Sequence, residues 1–362
     1  MASSTSHDGA TRVRPMTDAG RAIARDPRLG AAGADIAPIT PRGLWPQLVA
    51  DARRVVERSG SAAVPPLDAD EAWTARALAE LSARARGRGS ERRSREVEAR
   101  LAWALAGAVE IARECVPPER ADGPEEAAAL GACAWWVAND GATEDTSWDL
   151  AAALLEVAPP GRRGTARRQP RLNCVSLSVF VVLCARRNDA AARAGTAPWP
   201  LEVRATWAHA FVVKPAGPCA GGRVFETLHS AWYAVAQWQR MLELLGDFRP
   251  GVGLAGCRGL VETRTVYGLA RVVCGAACAW AQNRGDAAAA RSVVDWTMAN
   301  AGAAESTDPW IVVSIATTRP EDAPRLLRRL RGAPSVLRAM AVHHGRALQL
   351  LSARAPRPAA AP

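Results

Sequence analysis

The stretch RLNCVSLSVFVVLCARR, residues 171–187, is the feature that most constrains how this chain can fold. After Cys174 the run is apolar except for Ser176 and Ser178, and its length of about 13 residues favours a helix over a strand. A helix that is apolar nearly all round its axis has to be buried on every side. The sequence therefore predicts a central, buried helix with Cys174 at its start.

Helical periodicity dominates the chain on both sides of this segment. Asp68 and Ser90 stand where N-caps are expected for the second and third helices. In the C-terminal region, the pair of helices within 266–302 breaks at Arg284–Asp286 and resembles a single tetratricopeptide-type unit. The predicted helices cover residues 44–58, 68–86, 90–115, 124–139, 147–158, the two within 266–302, and two more within 321–332 and 333–355.

Between the two helical regions the apolar pattern changes to a period of two residues. In LEVRATWAHAFVV, residues 201–213, the apolar side chains at 201, 203, 205 and 207 alternate with polar ones at 202, 204 and 206, which is typical of a half-buried strand. The breaker-rich segment 214–222 predicts a loop, and RVFETL, residues 223–228, predicts a second strand. Together they predict an antiparallel hairpin, so that the fold class is α+β.

We expect three residues to carry out catalysis: Cys174, His209 and Glu226. Cysteine attacks carbonyl groups as the thiolate, and a helix N-terminus and a neighbouring histidine both favour that form. His209, on the first predicted strand, is the candidate general base, and Glu226 is the candidate acceptor that orients its ring. If the hairpin loop spans 214–221, residues 209 and 226 face each other with Cβ atoms about 5 Å apart.

These motifs resemble the transglutaminase-like fold, in particular a microbial branch with NC-x-x-L-S, H-x-F-V and E-T motifs that is often joined to tetratricopeptide-type helices. The resemblance covers roughly residues 125–250. It implies a small papain-like core with a Cys-His-acid site, in which Cys174 is the nucleophile, His209 the base and Glu226 the orienting acid. The chain departs from that branch at Trp207–Ala208, where Gly or Pro is usual before the histidine.

Other residues offer alternative or additional chemistry. Gln169, five residues before Cys174, could complete an oxyanion hole by analogy with papain-like enzymes, although loop polarity also accounts for it. His229 is a competing base. The arginines of 159–171 could bind an acidic substrate or simply solvate a loop. Tryptophans around the predicted core could pack it or form the wall of a substrate cleft.

A zinc site is the alternative interpretation of the C-terminal cysteines. Cys274 and Cys278 lie four residues apart on one helix face and could bind zinc with Cys257 or with the pair His343–His344. The spacing lacks the short-loop knuckle of structural zinc sites, so core packing is preferred. We therefore expect neither a metal nor a cofactor.

Charge and cysteine usage limit the classes of protein to which this chain can belong. The net charge is +10, and Lys214 is the one lysine. No basic stripe is interleaved with aromatic residues, so the net charge is the one feature that favours nucleic-acid binding. The eight cysteines lie mostly in apolar helices, where free Cys packs as a small hydrophobe. No secretory segment opens the chain and no long apolar run occurs. We expect a cytoplasmic protein without disulfides or membrane contact.

The leading hypothesis is a cysteine-dependent acyl-transfer enzyme that acts on an amide or peptide bond of a peptide or protein through a thioester. One alternative is a catalytically inactive scaffold whose C-terminal helices bind a protein partner, and another is a basic nucleic-acid-associated protein. The predicted organisation is a disordered arm (1–43), a helical region (44–124), the transglutaminase-like core (125–250), a tetratricopeptide-like helical region (255–352) and a disordered tail (353–362).

Overall fold

The computed structural model describes most of the chain between residues 44 and 334. Several sequence predictions fall on residues outside this part: most of the arm, the tail, the Ser90 cap, His229, Cys257 and His343–His344. The described residues are 39, 44–58, 64–87, 91–143, 147–157, 169–205, 209–215, 222–227, 230–238, 265–303, 306, 309–334, 337 and 348–349.

Helices make up most of the described structure. The N-terminal helices and the core helix are α1 Leu44–Arg58, α2 Ala69–Ala85, α3 Glu91–Cys115, α4 Pro124–Ala138, α5 Leu150–Glu156, α6 Cys174–Asn188 and the single turn α7 Ala190–Arg193. The C-terminal helices are α8 Val266–Asn283, α9 Ala287–Asn300, α10 Pro309–Thr318 and α11 Ala323–Arg331.

Local capping accounts for where several of these helices begin. The predicted cap Asp68 is confirmed, because its carboxylate accepts the Glu71 N–H at 3.0 Å while the Glu71 carboxylate accepts the Asp68 N–H at 3.1 Å. The predicted helix over 147–158 begins later than expected. Asp149 caps α5 by accepting the Ala152 N–H at 2.9 Å, which leaves the two residues before it outside the helix.

The predicted strand over 201–213 is wrong as a single element, since the chain reverses within it. The strands are β1 Ala142–Thr143, β2 Arg171–Leu172, β3 Glu202–Ala205, β4 Ala210–Lys214, β5 Arg223–Glu226 and β6 Ala231–Ala234. The last four form an antiparallel sheet in the order β3-β4-β5-β6, and the first two form a short parallel pair. The described structure is therefore mostly helical with one small antiparallel sheet, in agreement with the predicted α+β class.

The register of the β4–β5 hairpin differs by two residues from the predicted one. Lys214 pairs with Arg223, and Val212 pairs with Phe225. Continuing this register by one residue puts Glu226 opposite Phe211, so the predicted direct pairing of residues 209 and 226 is wrong. Side chains alternate with a period of two along a strand, so a two-residue shift leaves both side chains on the same face of the sheet.

The core helix α6 lies where its composition requires. All but its last residue are buried, and the helix packs against α3, α4 and the β3–β4 hairpin. One continuous cluster of buried apolar side chains runs from Leu48 to Leu330. Side chains from the regions predicted as separate domains share this cluster, and the domain boundaries themselves stay a prediction.

Two buried arginines fix the C-terminal end of α6. Arg187 Nη1 lies 2.5 Å from Glu71 Oε2, and Arg186 Nη1 lies 2.7 Å from Asp68 Oδ2. Both acceptors belong to the capping box of α2, so the end of one helix is tied to the start of another. Burial raises the pKa of Glu71 by more than the Arg187 charge lowers it. Within the described residues, no helix is both long and apolar enough to cross a bilayer.

Candidate active site

Cys174 is the first residue of α6, and its backbone is held on both sides. The side-chain oxygen of Asn173, which has an extended backbone, accepts the Ser176 N–H at 3.0 Å. The Asn173 carbonyl accepts the Leu177 N–H, and the Asn173 N–H donates to the Ser147 carbonyl at 3.0 Å. The N-cap therefore fixes the backbone of Cys174 at the start of α6.

His209 and Glu226 come together at one end of the sheet. His209 immediately precedes β4 and Glu226 ends β5, and antiparallel strands bring these two ends together. The His209 Nε2 atom lies 2.6 Å from Glu226 Oε2. The two residues are 7% and 1% exposed, so this is a buried, charge-assisted contact.

His209 also forms a side-chain hydrogen bond with Cys174. Burial lowers the pKa of His209. The charges of Glu226 and Cys174 and the hydrogen bonds to both residues together raise it by more, so the pKa lies well above its ordinary value. Because Nε2 is engaged by Glu226, Nδ1 is the atom left for the sulfur. His209 therefore interacts with both of the other side chains that the sequence singled out.

Aromatic rings surround the imidazole. The Phe211 and Trp238 ring centroids lie 6.2 and 6.0 Å from that of His209, and the two rings also contact each other at 5.5 Å. The Tyr233 ring centroid lies 5.6 Å from that of Trp238. This apolar shell keeps water away from the His209–Glu226 pair, and a low local dielectric strengthens an ionic hydrogen bond.

The neighbouring buried cysteines have a different environment. Cys184 lies in the same helix as Cys174, and burial raises the pKa of its thiol well above the ordinary value. Burial likewise raises the pKa of Cys133 to about 12. Both are therefore neutral core thiols at pH 7, whereas Cys174 lies at a helix start beside an imidazole.

A cavity of about 630 Å³ opens near the start of α6, between the end of α2, α5 and α8. Gln169, the predicted oxyanion donor, is exposed and lies on its wall together with Arg171. Cys174, His209 and Glu226 are not among the described residues that line it. The role proposed for Gln169 beside the sulfur therefore stays a prediction. Sequence patterns did not identify three further wall residues, Arg86, Asp149 and Trp280, which come from three distant segments.

The alternative metal site gains no support from the described cysteines. Cys274 and Cys278 both lie buried in α8, and burial raises the pKa of Cys278 to about 11 although Ser314 hydrogen-bonds its thiol. In the described part of the chain, no group of three or more His, Cys, Asp or Glu side chains has an arrangement that could hold a metal ion. The other predicted zinc ligands, Cys257 and His343–His344, lie outside that part.

Comparison with known proteins adds no relative to this description. No family model, no curated protein and no solved structure matches the chain. The assignment of a function therefore depends on the geometry of Cys174, His209 and Glu226 and on the sequence motifs that contain them.

Proposed function

We propose that this protein is a cysteine-dependent acyl-transfer enzyme with a papain-like, transglutaminase-like core. Cys174 is the nucleophile, His209 the general base and Glu226 the residue that orients the imidazole. One observation carries the proposal: a single buried imidazole contacts Glu226 through Nε2 at 2.6 Å and also hydrogen-bonds the Cys174 side chain. This nucleophile–base–orienter row is the arrangement that activated cysteines require.

In the first half-reaction the Cys174 sulfur attacks the carbonyl carbon of an amide. His209 Nδ1 takes the thiol proton, and the carbonyl oxygen becomes an oxyanion. Collapse of this intermediate breaks the C–N bond, and the imidazolium passes its proton to the departing amine. A thioester to Cys174 remains. The Cys174 N–H at the helix start is the proposed donor to the oxyanion, because the first N–H groups of a helix have no intrahelical acceptor.

In the second half-reaction a nucleophile with a proton to lose attacks the thioester. His209 removes that proton, the C–S bond breaks, and the sulfur recovers a proton from the imidazolium. With water as the nucleophile the product is a carboxylic acid, and with an amine it is a new amide. Glu226 keeps the ring in one tautomer throughout and offsets its positive charge. We propose hydrolysis as the ordinary outcome, on a peptide or protein substrate.

The low exposure of the site favours one second candidate. Cys174 is 3% exposed, and the cavity near the helix start does not include it. A scaffold that keeps the fold without turnover would have such a closed site. It would bind a protein partner through its C-terminal helices.

Iodoacetamide alkylation, mapped residue by residue by mass spectrometry, separates the two candidates. The enzyme hypothesis expects Cys174 to react far faster than Cys184 and Cys133 in the folded protein. The substitution His209→Gln should slow labelling of Cys174 by about 100-fold or more, the usual contribution of a general base. Equal labelling of Cys174 and Cys184 would instead identify a silent scaffold.

A matched pair of glutamate variants tests the orienting role. Glu226→Gln should slow Cys174 alkylation, because the imidazole loses its counter-charge. Glu202→Gln is the control: Glu202 is also a fully buried glutamate of the same sheet and pairs with Arg204. If both substitutions slow labelling equally, general loosening of the sheet explains the effect and Glu226 has no specific part in it.

A further inference from the structure

The cavity between α2, α5 and α8 contains an arginine held in a fixed position. Arg86 Nε donates to Asp149 Oδ2 at 2.8 Å, and the Arg86 guanidinium lies 5.7 Å from the ring centroid of Trp280. An ion pair on one edge and an aromatic face together restrict the orientation of a guanidinium. Arg86 therefore does not have to be ordered when a ligand arrives.

Asp149 is itself fixed by a second set of contacts. Its side chain is 5% exposed, and it accepts hydrogen bonds from Ser82 Oγ at 2.7 Å and from the Ala152 N–H at 2.9 Å. With Arg86, these contacts occupy both carboxylate oxygens. Asp149 is thus satisfied by the protein and anchors Arg86, in the way that outer partners orient a binding residue.

The described residues leave the terminal amino groups of Arg86 open to a ligand. Among the described residues, Asp149 is the one hydrogen-bond partner of the Arg86 guanidinium, and it uses Nε alone. A second guanidinium, that of Arg171, lies on the same wall, but it has an interaction of its own within the protein. The other wall carboxylate, Glu156, is exposed to solvent, which screens its charge. A planar anion with two oxygens matches the paired amino groups of an arginine.

We propose that this cavity binds the carboxylate of a peptide, with Arg86 as the principal donor and Trp280 as the apolar wall. A volume of about 630 Å³ holds several residues of a bound peptide. Arg171 stands three residues before Cys174, so their Cα atoms are at most about 10 Å apart. A carboxylate-bearing peptide is therefore also the substrate class of the Cys174 site. That last step rests on the proposed function, whereas the binding does not.

Three peptides of one size test the proposal by titration calorimetry. Acetyl-Ala-Gln-Ala-amide is neutral, acetyl-Ala-Glu-Ala-amide carries a side-chain carboxylate, and acetyl-Ala-Gln-Ala carries a C-terminal one. Titrations use the full-length Cys174→Ala protein, so that no chemistry at the sulfur contributes. At least one charged peptide should bind about 10-fold tighter than the neutral one or better, the usual effect of a charge-assisted hydrogen bond. The better of the two identifies the source of the carboxylate.

Variants then assign the preference to Arg86. Arg86→Gln should abolish the preference for a charged peptide, and Arg86→Lys, which keeps the charge beside Asp149, should lose most of it. Arg84→Gln is the matched control, because Arg84 lies on the same helical turn but pairs with Glu80 and Ser292. Equal binding of all three peptides, no binding of any, or an unchanged preference in Arg86→Lys would overturn the proposal. Iodoacetamide labelling measures the reactivity of Cys174 separately. A wrong prediction about peptide binding in the cavity and a wrong prediction about the nucleophile therefore give different results.

Discussion

The His209–Glu226 pair leads to a pH dependence of stability that one substitution should remove. The perturbation is Glu226→Gln in a Cys174→Ala background, where ionisation of the thiol does not contribute. With Cys174 present, burial is the largest influence and lowers the pKa of His209, while the charges of and hydrogen bonds to Glu226 and Cys174 together raise it well above its ordinary value. In the Cys174→Ala parent, Glu226, whose carboxylate oxygen lies 2.6 Å from the ring nitrogen, is the raising influence that remains. In the variant the lowering by burial remains and the carboxylate is gone. His209 should then be neutral in the folded variant at pH 7 and charged in the folded parent.

The magnitude follows from the number of protons bound and does not depend on the size of the shift. A group whose pKa is raised on folding stabilises fully below its unfolded value, here about 6.5, and this contribution is lost as the pH rises to the folded value. Over that interval the folded parent holds one proton more on His209 than the folded variant, while the two unfolded chains titrate alike at this residue. The free energy of unfolding of the parent should therefore fall, relative to the variant, by about 1.4 kcal/mol per pH unit.

Urea denaturation of parent and variant at pH 6.5, 7.0 and 7.5 measures this difference. The two free energies of unfolding should approach each other by about 1.4 kcal/mol across that interval. Glu202→Gln, in the same background, should run parallel to the parent. The chain has five histidines, so the ring titration of His209 can also be followed by NMR. Parallel lines for the parent and Glu226→Gln would refute the ion pair.

Three further predictions test the elements that hold the site. Asn173→Ala should cost about 1 kcal/mol of unfolding free energy in urea denaturation, while Asn173→Asp keeps the cap. Arg187→Met should cost about 3–5 kcal/mol by leaving the buried Glu71 carboxylate without its closest cationic partner, and adding Glu71→Leu should restore most of that loss. Gly131→Ala should lower the melting temperature, because its new Cβ would lie 2.6 Å from the Ala108 carbonyl oxygen.

Helices and their ends were the part of the fold most accessible to sequence reasoning. Asp68 caps α2 as predicted, and the break at Arg284–Asp286 separates α8 from α9. These features depend on residues within one helical turn of each other, so the local sequence contains all the interactions that decide them. Helix α10 was not predicted: in PWIVVSIATT Ser314 is the one polar residue before Thr317, and such a short apolar run has no helical periodicity to detect.

The sheet shows where local patterns stop being informative. Alternation over 201–213 predicted one strand, yet the chain forms β3 and β4 with a reversal between them. Alternation reports the face on which a side chain lies but not the partner strand or the position of a turn. For the same reason the predicted hairpin register was two residues off, while the contact between His209 and Glu226 is present.

The sequence by itself determined that α6 is buried and begins beside Cys174, because an apolar run and an Asn cap act locally. It also determined the residue types and faces that a His–Glu contact needs. Only the tertiary structure decided that the imidazole lies between carboxylate and sulfur, under Phe211 and Trp238. It alone brings Arg86, Asp149 and Trp280 around one cavity. These contacts depend on how helices and sheet from distant parts of the chain pack together, and a local sequence pattern gives no information about that packing.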